Sequence, residues 1–391
     1  MKKRRNRLKS LLFGILIVFI LFLPLIVWLF SSKSPWRIQV VDKTVPHPDY
    51  REHAALLWTL NHYKVPPPSG KGKWKRTRDY IGYYPERLDA SKIPERIYLS
   101  RKQIRDVNLL FIADTYGVYL GDYVKGQKYQ AHLDYSTKIY GGLNIDEVEA
   151  IEDFISKGGA LVAEFNTFAS PTSGEARRRL ESILGLEWTK WSGRFFDDLG
   201  DESEVPVWAR RNWETHYDEK WDFTGPGFLI TNENTRLFVL KDKEDLKSQS
   251  LSIIKVGEAP MMKGVSKKAD FWYWFDVVRP VGETEILAEY QFSLTAKGRE
   301  IMRQFGLEER FPAVLQASRS PLRVYFAGDF SDNKINYGPY FIAGWPRLRA
   351  LSSFLDWRKD QGDFFWRFYV PLMRNLFKGS PEITKKELQI E

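Results

Sequence analysis

The 391-residue chain contains no cysteine. Disulfides, thiolate metal sites and cysteine nucleophiles are therefore excluded, although that absence does not fix the redox compartment. Histidine is scarce, with five in the chain and none after His216. There is no Walker phosphate loop and no GxGxxG dinucleotide fingerprint, the usual cradles for nucleotide phosphates. Basic residues are not gathered into a stripe along the body of the chain. Six of them stand at Lys2, Lys3, Arg4, Arg5, Arg7 and Lys9, so the formal charge of +9 leaves only about +3 on the remainder. That balance argues against a nucleic-acid partner. The one further basic cluster, KGKWKRTR at 71–78, follows VPPPSG and reads as a solvated loop.

What is present begins with the first thirty residues. A basic head at 1–10 precedes an uninterrupted apolar run from Leu11 to Phe30. A helix of twenty residues spans about 30 Å, the thickness of a bilayer core. Pro24 and Gly14 are tolerated in such helices, and Trp28 stands where indoles favour the interface. No small-x-small cleavage site follows, so residues 11–30 read as an uncleaved signal anchor rather than a signal peptide. The positive head places the N-terminus in the cytoplasm and the rest of the chain outside it. No second run of this length occurs; FFWRFYVPLMRNLF at 364–377 is too short and carries two arginines.

Beyond the anchor, apolar runs that end in acids alternate with helical periodicity. RIQVVD (37–42), DVNLLFIAD (106–114), ALVAEF (160–165) and RVYFAGDFSD (323–332) read as buried strands, and RIYLS (96–100) as a short one. DYREHAALLWTLNHY (49–63) has near-helical spacing. NIDEVEAIEDFISKGG (144–159) has an Asn144 cap, Glu147 three residues on, an apolar face and a Gly-Gly stop, and SGEARRRLESILG (173–185) reads as the next helix, with Ser173 as cap and Gly185 as stop. Strand–helix alternation with short turns predicts a parallel sheet. Residues 205–292 break it. They are Trp-rich at first, then form short runs that predict a β-rich aromatic insertion, with ADFWYWFDVV and TEILAEYQF as a hairpin. Helices at 294–306, near 346–357 and at 363–377 close the α/β domain, before a polar tail at 378–391.

In an open parallel sheet ligands bind beyond the carboxyl ends of the strands. Those ends supply Asp42, Lys43 and Thr44 with His47; Asp114, Thr115 and Tyr116; Glu164, Asn166 and Thr167; and Asp329, Ser331 and Asp332. Glu164 lies inside an apolar strand, where a carboxylate must be paired or protonated. Arg194 is its candidate partner. A general acid is the alternative, with Asp114 or Asp197 as the second carboxylate of a glycosidase-like pair. Asn166 and Thr167 occupy the turn after the strand; Asn tolerates left-handed backbone there, and a Thr nucleophile would need a base. Asp42, His47, Asp49 and His53 do not have a recognised metal-ligand spacing, so neither metal nor cofactor is expected.

The stretches DVNLLFIADTYGVY (106–119), NIDEVEAIEDFISKGGALVAEFNTF (144–168) and LRVYFAGDFSD (322–332) resemble the class I glutamine amidotransferase-like fold, in its non-amidotransferase, trehalose-utilisation-type branch. The resemblance covers residues 36–200 and 320–377 and implies a flavodoxin-like α/β domain with helices on both faces, whose two parts are read as 36–200 and 293–377. It also implies an elbow that in amidotransferases presents a Cys, with a His-x-Glu pair later. This chain has neither, which excludes glutaminase chemistry. The expectation is an extracytoplasmic pseudoenzyme that binds or scaffolds in cell-envelope or surface-polysaccharide assembly, with glycans or envelope-assembly proteins as partners. A carbohydrate-active hydrolase and a structural subunit of a membrane complex are the alternatives.

Overall fold

Strands with every residue apolar need cover on both faces, and this requirement organises the chain. The computed structural model describes residues 2–85, 96–123, 137–333, 335–353 and 362–379. Helix α1 (Lys2–Phe30) leads in; its Leu11–Phe30 stretch is long and apolar enough to cross a membrane, and it is exposed from Leu11 to Leu23. Strand β1 (Ile38–Asp42) follows, then α2 (Ala54–His62), the two-residue β2 (Ile81–Gly82), α3 (Arg101–Ile104) and β3 (Leu109–Asp114). A short ribbon, β4 (Val118–Tyr119) with β5 (Lys138–Tyr140), precedes α4 (Ile145–Ser156), β6 (Ala160–Ala163) and α5 (Gly174–Leu184). Every residue of β1, β3 and β6 is buried.

The cap signals in the sequence act as expected. Asn144 accepts from the Glu147 N–H while Glu147 reaches back to the Asn144 N–H, a complete capping box on α4. Ser173 caps α5, and Gly185 ends it at φ 61°, where an added Cβ would lie 2.2 Å from Thr284 Oγ1. Helix α2 starts later than its periodicity, because Tyr50 turns left-handed at φ 49° and delays the first helical turn.

The middle of the chain departs further from expectation. Strand β7 (Leu186–Phe196) is followed by α6 (Val207–Tyr217), a helix in the Trp-rich stretch, and by β8 (Gly227–Asn232), β9 (Leu237–Lys241), β10 (Leu251–Lys255), β11 (Lys268–Phe271), β12 (Phe275–Pro280) and β13 (Glu285–Gln291). The expected hairpin of 269–278 with 284–292 does not form. β12 pairs with β7 in a four-stranded sheet of order β12-β7-β8-β9, whereas β13 enters the main sheet between β10 and β14 (Arg310–Arg319). The chain changes sheets at Val281–Thr284, where Gly282 supplies φ 65°. RIYLS is not a strand either. Among the described residues its strand-like pairing is limited to the Arg96–Tyr83 bridge and the Ile97 N–H to Gly82 carbonyl bond, while the Leu99 N–H donates to the Glu147 side chain and the Ile97 carbonyl accepts from Tyr140.

Helix α7 (Ala296–Gln304) precedes β14, and β15 (Leu322–Phe326) follows it. The main sheet has nine strands in the order β11-β10-β13-β14-β15-β6-β3-β1-β2. Neighbours from β15 to β2 are parallel, and those from β11 to β15 are antiparallel. The strands from 226–292 therefore divide between this sheet and the smaller one. Helix α8 (Trp345–Ser353) and the segment of α9 (Gly362–Phe364), a π turn at Phe365–Tyr369 and α10 (Val370–Lys378) complete the fold. The expected helix near 346–357 runs beyond the described residues at 354, as does most of the 378–391 tail.

One buried ion pair ties β1 to α4. The Lys43 ammonium lies 2.7 Å from Glu147 and 2.6 Å from the Gly142 carbonyl, and both side chains are almost wholly withdrawn from water. Tyr98 and Tyr140 present ring faces to the same ammonium at 5.3 and 5.1 Å. Glu147→Ala removes this counter-ion, the acceptor for Leu99 N–H and half of the capping box. The expected cost is about 3–5 kcal/mol by denaturant unfolding, with the double variant Lys43→Met/Glu147→Met costing less than Glu147→Ala alone.

Candidate functional site

Parallel strands deliver their carboxyl ends to one edge. Here that edge is crowded with acids. Asp42 ends β1 fully buried, with Oδ2 2.6 Å from His53 Nδ1 and Oδ1 accepting from the Thr44 N–H at 3.0 Å. His53 Nε2 lies 3.1 Å from the Arg76 carbonyl, so both ring nitrogens face oxygens. The Thr44 hydroxyl donates to Asp114 Oδ1 at 2.7 Å and accepts from the Gly117 N–H at 2.8 Å. The Tyr116 N–H donates to the same Asp114 oxygen at 2.6 Å. The ends of β1 and β3 are thus stitched together through one hydroxyl.

On the other side of β3, Glu164 is completely buried. Its Oε2 accepts from the Ser331 N–H at 2.9 Å and its Oε1 from the Ser331 hydroxyl at 3.0 Å. Arg194, its expected partner, is elsewhere. Arg194 pairs with Glu204 at 3.4 Å and lies over Phe196, Tyr273 and Trp274 at 4.6, 5.1 and 5.9 Å. Ser331 supplies the donors instead, because the loop after β15 folds back over β6. That loop also carries Asp329, whose N–H donates to the Trp274 carbonyl at 3.0 Å, and Asp332, which pairs with Arg51 at 2.8 Å. Arg51 further donates to the Tyr273 hydroxyl at 3.1 Å.

The elbow after β6 exists. Asn166 sits at φ 62°, with its N–H donating to Asp276 at 3.2 Å and its carbonyl accepting from Thr115 Oγ1 at 2.9 Å. The Thr167 hydroxyl donates to the Glu164 carbonyl at 2.6 Å, and Thr167 is wholly buried. It is committed to backbone structure. Asp276 was not singled out by sequence reasoning. It also accepts from Ser192 and Tyr325 hydroxyls, each at 2.6 Å, and so pins the elbow, the smaller sheet and β15 to one carboxylate. Its signal was present in FWYWFDVV, an acid inside an apolar run, like Glu164.

Burial dominates the electrostatics. It raises the Glu164 carboxyl well above its ordinary range, against the opposing Ser331 donors. Burial, then Asp332, Asp114 and Glu164, likewise raises Asp329. Asp114 is pushed up to about 8 by burial and then by Asp42, and Glu52 to about 9 by the same two causes. Glu52, Arg51 and Tyr273 are site residues that sequence reasoning missed. Glu52 and Arg51 lie in a segment read as helix, and Tyr273 in a presumed hairpin strand.

Asp42, Asp114, Tyr116, Glu164, Asn166, Thr167 and Asp329 therefore converge, and Arg194 joins them through Tyr273. Lys43 reaches no surface, being enclosed with Glu147. His47 is exposed on the β1–α2 loop near Asp122 rather than among the acids. Asp197 is exposed beyond β7 and makes no hydrogen bond or ion pair to the cluster among the described residues. No group of three or more His, Asp or Glu side chains could hold a metal ion among the described residues. The acids do not line an open cleft: Asp114 and Asp329 are 6% and 7% exposed. A cavity of about 420 Å³ lies instead beside α2, lined by Trp58, Lys73, Trp74, Arg76 and Tyr340 among others.

No family model and no curated protein matches the chain. Solved structures similar to it include a ThuA-like protein from Bacteroides uniformis, 10% identical, covering 76% of this chain and 84% of that one with a TM-score of 0.33. A ThuA-like protein from Parabacteroides merdae is 10% identical over 75% and 79%, with a TM-score of 0.35. A cytoplasmic protein from Salmonella typhimurium is 11% identical over 71% and 74%, with a TM-score of 0.31.

The raised carboxyls make stability depend on pH with a definite sign. Unfolded carboxyls titrate near 4, so between about pH 5 and 7 the folded chain keeps a proton on Asp114 that the unfolded chain has released. Each such group makes stability fall with rising pH, by up to about 1.4 kcal/mol per pH unit. Chemical unfolding of detergent-solubilised Asp114→Asn across that range is expected to show a slope shallower by about one proton. An unchanged slope would mean that folded Asp114 is ionised.

Proposed function

We propose that this chain is a membrane-anchored, extracytoplasmic pseudoenzyme of the amidotransferase-like, flavodoxin-like type that binds a hydroxyl-rich ligand, such as an envelope glycan, at the carboxyl edge of its parallel strands. The order β2-β1-β3-β6-β15 supports the flavodoxin-like reading, with its switch point between β1 and β3 where Thr44 meets Asp114. The left-handed elbow at Asn166 supports the amidotransferase-like one. Chain direction supports a site facing away from the bilayer. Ser34 N–H bonds the Lys64 carbonyl at the amino end of β1, near the end of α1, and the acids lie at the opposite edge.

The observation that carries binding over catalysis is the state of the elbow. Both Glu164 oxygens are bound to Ser331, and the Thr167 hydroxyl is spent on a carbonyl, so neither an open acid nor a poised nucleophile is presented. Burial raises Glu164, Asp114 and Asp329 alike, so these three carboxyls form no pair whose environments push in opposite directions. Exposed Tyr116 and half-buried Trp274, the latter stacked on Phe165 with the Arg194 guanidinium beside it, are the aromatic side chains of this region suited to sugar rings. The structural-subunit alternative gains no comparable support. Among the described residues of 205–292, the exposed large apolar side chains are Tyr217, Val256 and Val281, on three separate segments.

Full-length protein in nanodiscs, screened against glycans and envelope precursors by calorimetry and product chromatography, is expected to bind without turnover. Trp274→Ala should weaken the bound ligand about tenfold, a loss of about 1.4 kcal/mol, and Glu164→Gln should leave affinity unchanged. Turnover that disappears in Glu164→Gln would establish the hydrolase instead. No binding and no turnover on any glycan would sink both carbohydrate readings.

A further inference from the structure

The segment after the site loop returns along α2 toward the membrane helix. The Trp58 indole donates to the Gly338 carbonyl at 3.0 Å, and the Tyr340 carbonyl lies 2.6 Å from His62 Nδ1. Tyr340 then meets the edge of Trp28 at 5.8 Å, and the Ala343 N–H donates to the Pro24 carbonyl at 3.0 Å. Pro24 lies six residues before the end of α1, about 9 Å along its axis. Backbone outside α1 is therefore fastened to the side of the apolar helix, below its outer end.

The stretch from Phe341 through α8 is unusually apolar for a surface. Phe341, Leu348 and Leu351 are 41%, 57% and 71% exposed, and α8 buries none of its residues. Leu348 and Leu351 stand three apart and share a helix face. The helix is nonetheless held to the domain, since the Arg349 guanidinium lies over Trp366 at 5.7 Å and the Trp345 indole donates to the Tyr337 carbonyl at 2.8 Å. Cations surround this end. Lys64 lies over Trp28 at 4.7 Å and donates to the Leu29 and Ser31 carbonyls, Lys73 lies over Tyr340 at 5.9 Å, and Arg347 is exposed. Aromatics at the level of the helix end, cations beside them and apolar side chains turned outward form the pattern of an interfacial helix.

We propose that residues 339–353 are a second membrane contact, with α8 lying in the outer-leaflet interface beside α1 and Phe341, Leu348 and Leu351 seated among lipid chains. The occupant is lipid because the segment is fastened to the side of the apolar helix α1, by the Ala343–Pro24 hydrogen bond and the Tyr340–Trp28 ring contact, and leaves Phe341, Leu348 and Leu351 exposed beside it. Pro24 stands about 9 Å below the outer end of α1, within the roughly 5–10 Å to which interfacial helices bury their apolar face, and there it satisfies the Ala343 N–H. The proposal rests on α1 spanning the bilayer. Two contacts, rather than one flexible tether, would hold the acid-rich edge at a fixed height and orientation above the surface.

The absence of native cysteine makes the test direct. Full-length single-cysteine variants Ile17→Cys, Leu348→Cys, Leu351→Cys and Asn234→Cys are spin-labelled in phosphatidylethanolamine–phosphatidylglycerol vesicles. Their collisions with oxygen and with a water-soluble nickel chelate are then measured. Labels at 348 and 351 are expected to group with 17, with nickel accessibility about tenfold below that at 234. Lipid-protected 17 with nickel-accessible 348 and 351 would overturn the second contact and leave the anchor standing. Nickel-accessible 17 would overturn both.

Discussion

Glu164 meets the N–H and the hydroxyl of Ser331 across the end of the parallel sheet, and much of the molecule is arranged by that contact. A carboxyl group wholly withdrawn from water must find donors or keep a proton; here burial raises it well above its ordinary range, and Ser331 supplies two donors that oppose the rise. The bond draws the loop after β15 down onto β6. Asp329 and Asp332 come with it, into a space already holding Asp42 and Asp114. Arg51 is the cation that answers them, and it in turn fixes Tyr273 and the connection between β11 and β12.

Asp276 performs a similar task one layer away. The smaller sheet meets the end of β15 at the start of β12, where Phe275 bridges to Gly328 and the Asp276 N–H bonds the Ala327 carbonyl, and the Asp276 carboxyl group there collects donors from the elbow, from β7 and from β15. Charged groups thus do the joining at places where apolar packing alone would leave the relative position of two sheets loosely specified. The Lys43–Glu147 pair does the same between β1 and α4. In each case the geometry serves structure first, which is why an edge rich in acids presents so few of them to solvent.

The two ends of the parallel strands have opposite characters. The amino end gathers apolar and cationic side chains around α1, whereas the carboxyl end gathers acids. Segment 333–345 spans both, leaving the site loop at Asn333 and reaching Trp28 and Pro24. A change in how the α1 end of the domain is held is therefore connected by one short stretch of chain to the loop that carries Ser331.

The apolar span of α1, the capped and stopped helices α4 and α5, and the buried strands ending in acids were all legible in the sequence, because each is encoded by residues within a few positions of one another. The left-handed turn at Asn166 was legible for the same reason. What the sequence left open was pairing over distance. Alternation identifies a strand but not its neighbour, so β12 and β13 read as a hairpin and belong to different sheets. A buried acid announces a partner but not which one, so Glu164 points to Arg194 in the sequence and holds Ser331 in the fold, while Lys43 points to a ligand and holds Glu147. Local periodicity is a property of the chain, whereas the partner of a buried charge is decided only when packing has excluded water and left one donor within reach.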